Sequence, residues 1–167
     1  MKEYVDLMQD QMPKLYEKFI LEYYRKQHPK LNANPDVVEW QLGTEFDLYL
    51  PMMKTDITLH YQGNILVIDA KYYENGTPLA TNSWFGNQTL HSGNIYQIFT
   101  YVKNLEQRTL GSVAGCLMYA KNENVQDLDL PYNICGTDIM VKTLDLDKEF
   151  KSIRVQLDAV ADYLYLM

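Results

Sequence analysis

The segment TDITLHYQGNILVIDAKYY, residues 55–73, carries the strongest structural signal in this sequence. Polar and apolar residues alternate from Thr55 to Tyr61, and the run from Ile65 to Tyr73 is rich in β-branched and aromatic side chains, as is typical of paired strands. Between the two runs, Gln62-Gly63-Asn64 supplies residues that favour tight turns. The pattern predicts an antiparallel hairpin with a two-residue turn at Gln62 and Gly63.

This register places three charged side chains together at the open end of the hairpin. Asp56 lies directly opposite Asp69, with Cβ atoms about 5 Å apart. Lys71 follows Asp69 by two residues and therefore points to the same face of the strand. Two carboxylates and one ammonium group are thus expected to converge beside an otherwise apolar hairpin.

Metal-assisted phosphodiester hydrolysis requires such a group. Two neighbouring carboxylates repel each other unless a divalent cation neutralises them. Mg²⁺ suits two carboxylates completed by a backbone carbonyl and waters, and Mn²⁺ is expected to substitute for it. Lys71 would orient the attacking water or neutralise charge on the phosphoryl oxygens. A salt bridge from Lys71 to Asp69 or Asp56 at a sheet edge explains the same spacing equally well. A chain of this composition is also expected to contain an Asp/Glu-x-Lys triplet by chance.

A second candidate element is the segment Asn94–Leu105. Apolar residues recur at helical spacing, and Gln97 and Tyr101 lie four residues apart on one helical face. Gln97 would bridge to a metal-bound water or a phosphate, and Tyr101 would donate to a phosphate oxygen. An amphipathic helix with a half-buried tyrosine is the plainer interpretation of the same pattern.

The remaining pattern predicts an α/β fold with a mixed β-sheet flanked by helices. We expect one domain over residues 1–167, made of a lead-in (1–12), a core that carries the motifs (13–121), and a C-terminal strand and helix (122–167). The other predicted elements are a helix over 13–27 with Pro13 in its first turn, a strand over 40–49, a long loop over 74–93, strands over 112–120 and 138–144, and a helix over 147–165.

Composition excludes several classes of protein. The chain has 167 residues, of which 47% are hydrophobic and 22% charged, as in ordinary globular domains. No apolar run approaches the roughly 20 residues needed to cross a bilayer, and the first residues have no secretory signal. Cys116 and Cys135 lie among apolar neighbours without metal-ligand spacing, so we expect buried free thiols and a cytoplasmic location without membrane contact.

The charge is unevenly distributed. The net charge of −7 argues against a protein that holds nucleic acid by charge alone. The N-terminal segment is nevertheless locally basic, and a weak phosphate-facing surface is possible there. Its basic residues are Lys14, Lys18, Arg25, Lys26 and Lys30.

The motifs occur in an order that resembles a known family. Glu17 is followed by Thr55-Asp56-Ile57, then by Ile68–Tyr73, then by the Gln97-x-x-x-Tyr101 pair. This order resembles the PD-(D/E)XK nuclease superfamily, in the QxxxY variant of its RecB-like branch. The run Leu50–Ile57, followed by Ile68–Tyr73, is most similar to McrC nuclease domains, the cleavage subunits of McrBC-type 5-methylcytosine restriction systems.

The resemblance implies a restriction-endonuclease-like fold and a role for each motif residue. Asp56 and Asp69 would be metal ligands, with the Ala70 carbonyl as a possible third, and Lys71 would be the catalytic lysine. Glu17 would orient a water or the metal. Gln97 and Tyr101 would be accessory site residues.

The resemblance also implies DNA as substrate and a GTP-dependent AAA+ motor of the McrB type as partner. Because one active site per chain cuts one strand, two copies would be needed to cut a duplex, so a dimer on DNA is a further expectation. McrC-like proteins carry an N-terminal region that docks onto the motor, whereas this chain begins almost at the nuclease helix. It is therefore expected to be either a stand-alone relative or a nuclease-domain fragment.

Other functions and other residues stay open from the sequence. A catalytically inactive nuclease fold that acts as an interaction module, or a related repair or RNA nuclease, would share these motifs. We expect His60, near the turn of the hairpin, to take no part in catalysis. Trp84 and Phe85 would either stack on a base or pack the long loop onto the domain.

Overall fold

The computed structural model describes residues 2–73, 77–81, 86–121, 123 and 126–167. Its helices are α1 (Lys2–Gln27), α2 (Ser92–Glu106) and α3 (Phe150–Leu166), with a 3₁₀ turn at Pro29–Leu31. Its strands are β1 (Val37–Val38), β2 (Met53–Lys54), β3 (Ile57–Tyr61), β4 (Asn64–Lys71), β5 (Leu79–Thr81), β6 (Gln88–Leu90), β7 (Val113–Lys121), β8 (Asp129–Ile134) and β9 (Thr137–Asp145). None of the helices in these residues is long and apolar enough to cross a membrane.

The architecture is a five-stranded mixed sheet flanked by helices, which confirms the predicted α/β fold. The strand order is β3-β4-β7-β9-β8. The central pairs β4–β7 and β7–β9 are parallel, and the outer pairs β3–β4 and β8–β9 are antiparallel. Helix α2 makes the crossover that a parallel β4–β7 pair requires.

The predicted hairpin register is confirmed. Ile57 pairs with Ile68, and Tyr61 pairs with Asn64, which leaves Gln62 and Gly63 as the two turn residues. Both turn residues have positive φ, 49° and 86°, as a type I′ turn demands. Asp56 immediately precedes β3 and lies level with Asp69.

The sheet separates two apolar clusters, one on each face. Alternate residues of each strand point to opposite faces, so Ile68 joins one cluster and Val67 the other. On the first face the sheet packs against α1 and α3, through buried side chains that include Tyr16, Ile20, Tyr24, Leu157, Val160 and Leu164. On the second face it packs against α2, through Ile98, Tyr101 and Val102. Asp69 and Lys71 share the face of Val67 and therefore point towards α2.

The strand predicted over residues 40–49 is wrong. That segment is irregular between β1 and β2, and its apolar side chains Phe46 and Leu48 are 83% and 74% exposed. The free edge of β3 is already occupied, since Asn34 and Thr58 exchange two backbone hydrogen bonds of 3.0 and 2.7 Å. The segment over residues 40–49 therefore does not pair at this edge of the sheet, and its alternating pattern alone does not make a strand.

Other element predictions also need correction. Helix α1 begins at Lys2, so the lead-in is helical and Pro13 lies inside the helix rather than in its first turn. The long loop contains the paired strands β5 and β6. Strand β8 was missed, and the turn that follows it exposes Cys135, which was expected to be buried. Trp84 and Phe85 lie outside the described residues.

Candidate active site

The two aspartates of the hairpin meet where β3 begins. Asp69 is 2% exposed on β4, a strand paired on both sides. Asp56 lies just outside β3, and its Oδ2 accepts a hydrogen bond of 2.8 Å from the backbone N–H of Ala70. A strand residue directs its N–H and C=O to the same side, so the Ala70 carbonyl is directed towards the Asp56 side of β4.

Buried threonines fix the position of Asp56. Thr55 and Thr58 are 2% and 0% exposed, and their hydroxyls lie 2.8 Å apart. The backbone N–H of Asp36 donates to the Thr55 hydroxyl at 2.8 Å, and the N–H of Thr55 donates to the Asp36 carbonyl at 2.9 Å. The backbone on both sides of Asp56 is therefore held, and its carboxylate has little freedom to move away.

Lys71 lies against the buried carboxylate of Asp69. Its Nζ is 3.1 Å from Oδ1, in hydrogen-bond geometry, and 2.9 Å from Oδ2. The shorter contact is an ion pair without hydrogen-bond alignment, so Oδ2 is buried with no aligned donor among the described residues. An oxygen left in this state has an open lone pair that a cation can take.

Helix α2 supplies the next two members of a hydrogen-bonded relay. The Oε1 of Gln97 accepts from Lys71 Nζ at 3.1 Å, and its Nε2 donates to the Tyr101 hydroxyl at 2.9 Å. Tyr101 is 8% exposed and packs among the apolar side chains between α2 and the sheet. The structure thus brings Asp69, Lys71, Gln97 and Tyr101 into one chain of contacts.

Burial and mutual repulsion perturb the acidity of this group. Burial, the largest cause, and the charge of Asp56 together raise the pKa of Asp69 to about 7, against the attraction of Lys71. Burial also raises the pKa of Asp56, although the Ala70 N–H and Lys71 oppose the shift. Burial alone would lower the pKa of Lys71, but Asp69 and Asp56 outweigh it and raise that pKa, so the ammonium stays charged. Such opposed shifts are typical of functional sites.

Glu17 reaches the same group from α1. Its neighbour Tyr16 is buried and donates from its hydroxyl to the Met118 carbonyl at 3.2 Å, which fixes this turn of the helix on the sheet. Burial and the nearby charge of Asp56 raise the pKa of Glu17, while Lys71 and Lys14 lower it. Glu17 is therefore within electrostatic reach of both Asp56 and Lys71, and its role at the site stays a prediction.

The donor set fits a hard divalent cation with few protein ligands. No cluster of three or more His, Cys, Asp or Glu side chains arranged to hold a metal occurs in the described ranges. Mg²⁺ commonly takes one or two carboxylates and keeps several waters. Asp56 and the open Oδ2 of Asp69 provide that arrangement, with the Ala70 carbonyl nearby.

Asn94 was not among the predicted site residues. Its Nδ2 lies 2.9 Å from the Tyr73 hydroxyl and 2.9 Å from the Tyr119 hydroxyl, so it ties α2 to β7 and to the residues that follow β4. Tyr119 pairs with Lys71 across the sheet. A signal was available, since Asn94, Gln97 and Tyr101 recur at i, i+3 and i+7 on one helical face.

His60 stands apart from this group. Its Nε2 lies 2.7 Å from Oδ2 of Asp36, the residue whose backbone is hydrogen-bonded to Thr55. Among the described residues, no hydrogen bond of the His60 side chain reaches Asp56, Asp69 or Lys71.

Two comparisons with known proteins both point to a restriction system. Residues 8–120 match the family model described as "McrBC 5-methylcytosine restriction system component". The chain is also 30% identical, over 158 residues, to the type IV methyl-directed restriction enzyme EcoKMcrBC of Escherichia coli strain K12. That alignment covers 92% of this chain and 44% of the relative, so the chain spans less than half the length of that protein.

Proposed function

The chain belongs to the family of McrBC 5-methylcytosine restriction system components, and from this premise we propose that it is a metal-dependent DNA endonuclease. The proposed reaction is hydrolysis of a phosphodiester bond by a PD-(D/E)XK site that uses Mg²⁺, for which Mn²⁺ would substitute. The chain would then be the cleavage component of a modification-dependent restriction system that acts in phage defence.

One observation carries the proposal. Contacts run from Asp69 on β4 through Lys71 to Gln97 and Tyr101 on α2. Asp56 is held beside this relay by its hydrogen bond from the Ala70 N–H. A structural salt bridge at a sheet edge needs only Lys71 and one aspartate. It does not account for the second carboxylate, because Asp56 and the buried Asp69 share the single ammonium of Lys71, which leaves one negative charge of the pair without compensation.

The residues divide the chemistry among them. Asp56 and Asp69 would hold the metal, which when bound supplies Lewis-acid polarisation of the phosphate and a lowered pKa for a water ligand. Lys71 would stabilise charge that develops on the phosphoryl oxygens, and Gln97 and Tyr101 would hold its ammonium in place. Glu17, whose pKa is raised, would orient the attacking water and accept its proton.

The proposal extends to partners and location. DNA is the proposed substrate, and a GTP-dependent AAA+ subunit of the McrB type is the proposed motor. Two copies would assemble on DNA to cut both strands, and gel filtration with and without a duplex tests this directly. A single chain in both runs would contradict the dimer. The proposed location is the cytoplasm, where the DNA substrate is found.

Cleavage by Lys71→Ala tests the central chemistry. We expect wild type and the control Lys30→Ala, whose exposed lysine lies outside this group, to cut duplex DNA in Mg²⁺ at equal rates. Lys71→Ala should be inactive and should still unfold cooperatively, at a lower temperature than wild type, because the buried Asp69 loses its ion-pair partner. A fully active Lys71→Ala would refute the mechanism. DNA and RNA of one sequence, compared in the same assay, separate a DNA nuclease from an RNA nuclease. An inactive wild type that binds its motor subunit would favour the interaction module.

A further inference from the structure

The face of α1 beside Glu17 carries lysines that the proposed chemistry does not use. Tyr16 and Ile20 point into the core, and Lys14 and Lys18 lie one helical turn apart on the adjoining face, both exposed. Glu17 sits at the boundary between the two faces. We infer that these lysines, together with Lys54, form a phosphate-binding groove that guides the DNA backbone to the proposed active site.

The third lysine comes from a distant part of the chain. Lys54 on β2 precedes Asp56 by two residues, and its exposed side chain faces the same groove as α1. The groove has a volume of about 320 Å³. It is lined by Lys14, Glu17, Lys18, Leu21, Pro35, Lys54, Thr55 and Asp56. The groove is therefore bounded by three ammonium groups and includes Asp56 and Glu17 in its lining.

These ammonium groups are available to a ligand. In the part of the chain that the structure describes, no carboxylate forms an ion pair with Lys14, Lys18 or Lys54. The charge of Lys14 lowers the pKa of Glu17, which places this ammonium close to the candidate site. Three cations that remain unpaired in a chain of net charge −7 make a local positive region against an acidic background.

The structure also separates these lysines from the rest of the basic N-terminal segment. Arg25 is used internally, since it pairs with Glu22 at 2.9 Å and donates to the Ala33 carbonyl at 3.1 Å and to Asn34 at 3.0 Å. Lys30 lines another depression of the surface, and Lys26 lines one that it shares with Lys18 but that does not include Asp56. Only part of the basic segment therefore faces the candidate site, and the rest provides matched controls.

The chemistry of the groove suits a phosphodiester backbone. Lysines at a spacing of one helical turn contact phosphates as point charges and carry no base specificity. The inference rests on the proposed nuclease function, since it assigns the backbone that leads into that site. It goes further by naming three residues that supply affinity without taking part in bond cleavage.

Salt dependence of DNA binding tests the groove without the active site. Fluorescence anisotropy of a labelled 20-base-pair duplex would be measured in EDTA over a range of KCl concentrations, for wild type and for Lys14→Gln/Lys18→Gln/Lys54→Gln. Each phosphate contact contributes about 0.9 to the slope of log affinity against log salt, so the triple variant should lose about 2 to 3 from the slope. The charge-matched control Lys26→Gln/Lys30→Gln/Lys151→Gln replaces three exposed lysines that do not line the groove and should keep the wild-type slope.

The possible outcomes separate failure of the groove from failure of the nuclease proposal. An unchanged slope in the groove variant, an equal loss in the charge-matched control, or a wild type that does not bind the duplex at low salt would overturn the inference. Calorimetric titration with Mn²⁺ is run on the same proteins. A groove variant that binds Mn²⁺ like wild type and keeps the wild-type salt slope would refute the groove and leave the nuclease proposal standing. A wild type that does not bind Mn²⁺ and does not cut DNA would refute the nuclease proposal instead.

Discussion

Replacing Gln97 with leucine is expected to slow DNA cleavage without unfolding the chain. Gln97 accepts a hydrogen bond of 3.1 Å from the Lys71 ammonium and donates one of 2.9 Å to the Tyr101 hydroxyl. Leucine keeps a similar size and a high helix propensity, so α2 should persist. Both hydrogen bonds are lost, and Lys71 keeps only its contact with Asp69 at 2.9 Å.

The size of the effect follows from the type of bond removed. A hydrogen bond to a charged group contributes about 1.5–3 kcal/mol. If that loss falls on the transition state, the rate decreases about 10- to 150-fold, at 1.36 kcal/mol for each factor of ten. Tyr101→Phe removes a bond between neutral groups, about 0.5–1.5 kcal/mol, so a decrease of about 2- to 10-fold is expected.

Single-turnover cleavage of one duplex measures this series, with thermal unfolding as the control for folding. The expected order of activity is wild type, Tyr101→Phe, Gln97→Leu and then Lys71→Ala, which should be inactive. A Gln97→Leu protein with the wild-type rate would refute the relay. A loss in Tyr101→Phe as large as that in Lys71→Ala would refute it too, because the tyrosine acts only through Gln97.

Three further predictions concern stability. In metal-free buffer the free energy of unfolding should fall as the pH rises from about 4 to about 7. The pKa of Asp69 is about 7 in the folded chain and near 3.9 in the unfolded chain, so Asp69 takes up a proton on folding in this pH range. Asp69→Asn should flatten this profile in thermal unfolding, and an unchanged profile would contradict the raised pKa. Asn94→Ala removes two hydrogen bonds to tyrosine hydroxyls and should destabilise the chain by about 1–2 kcal/mol in urea unfolding, whereas no change would mean that these bonds do not hold α2. Gly111→Ala should lower the free energy of unfolding by about 1–3 kcal/mol in the same assay, because the added Cβ would lie 2.3 Å from the Gly63 carbonyl oxygen. The control Gly43→Ala, which has open space around the added Cβ, should be neutral. Equal stability of the two variants would refute this contact.

The hairpin and its charged end were predictable because local rules determine them. A two-residue turn with positive φ at both positions selects the pairing, and strand alternation then sets the face on which Asp69 and Lys71 lie. Helix α2 was predictable for the same reason, since Gln97 and Tyr101 lie on the helical face that the spacing indicated. The contact between Lys71 and Gln97 required the fold, because it joins two elements through the β4–α2–β7 crossover.

The failures arise where tertiary pairing overrides a local pattern. Strand β8 contains Pro131, is mostly exposed and pairs only with β9, so it lacks the apolar alternation that marks an inner strand. The alternation over residues 40–49 has no partner, since Asn34 occupies the β3 edge. The exposure of Cys135 follows from its left-handed turn conformation, φ 52°, which its apolar neighbours do not reveal.

Metal binding tests the central claim most directly, because it requires neither the motor subunit nor the correct DNA. Calorimetric titration with Mn²⁺ would compare wild type with Asp69→Asn and with Asp127→Asn, an exposed aspartate paired with Lys121 on another part of the surface. The account predicts binding by wild type and Asp127→Asn and its loss in Asp69→Asn. A wild type that binds no Mn²⁺, or an Asp69→Asn protein that binds it as well as wild type, would contradict the proposed metal-dependent site.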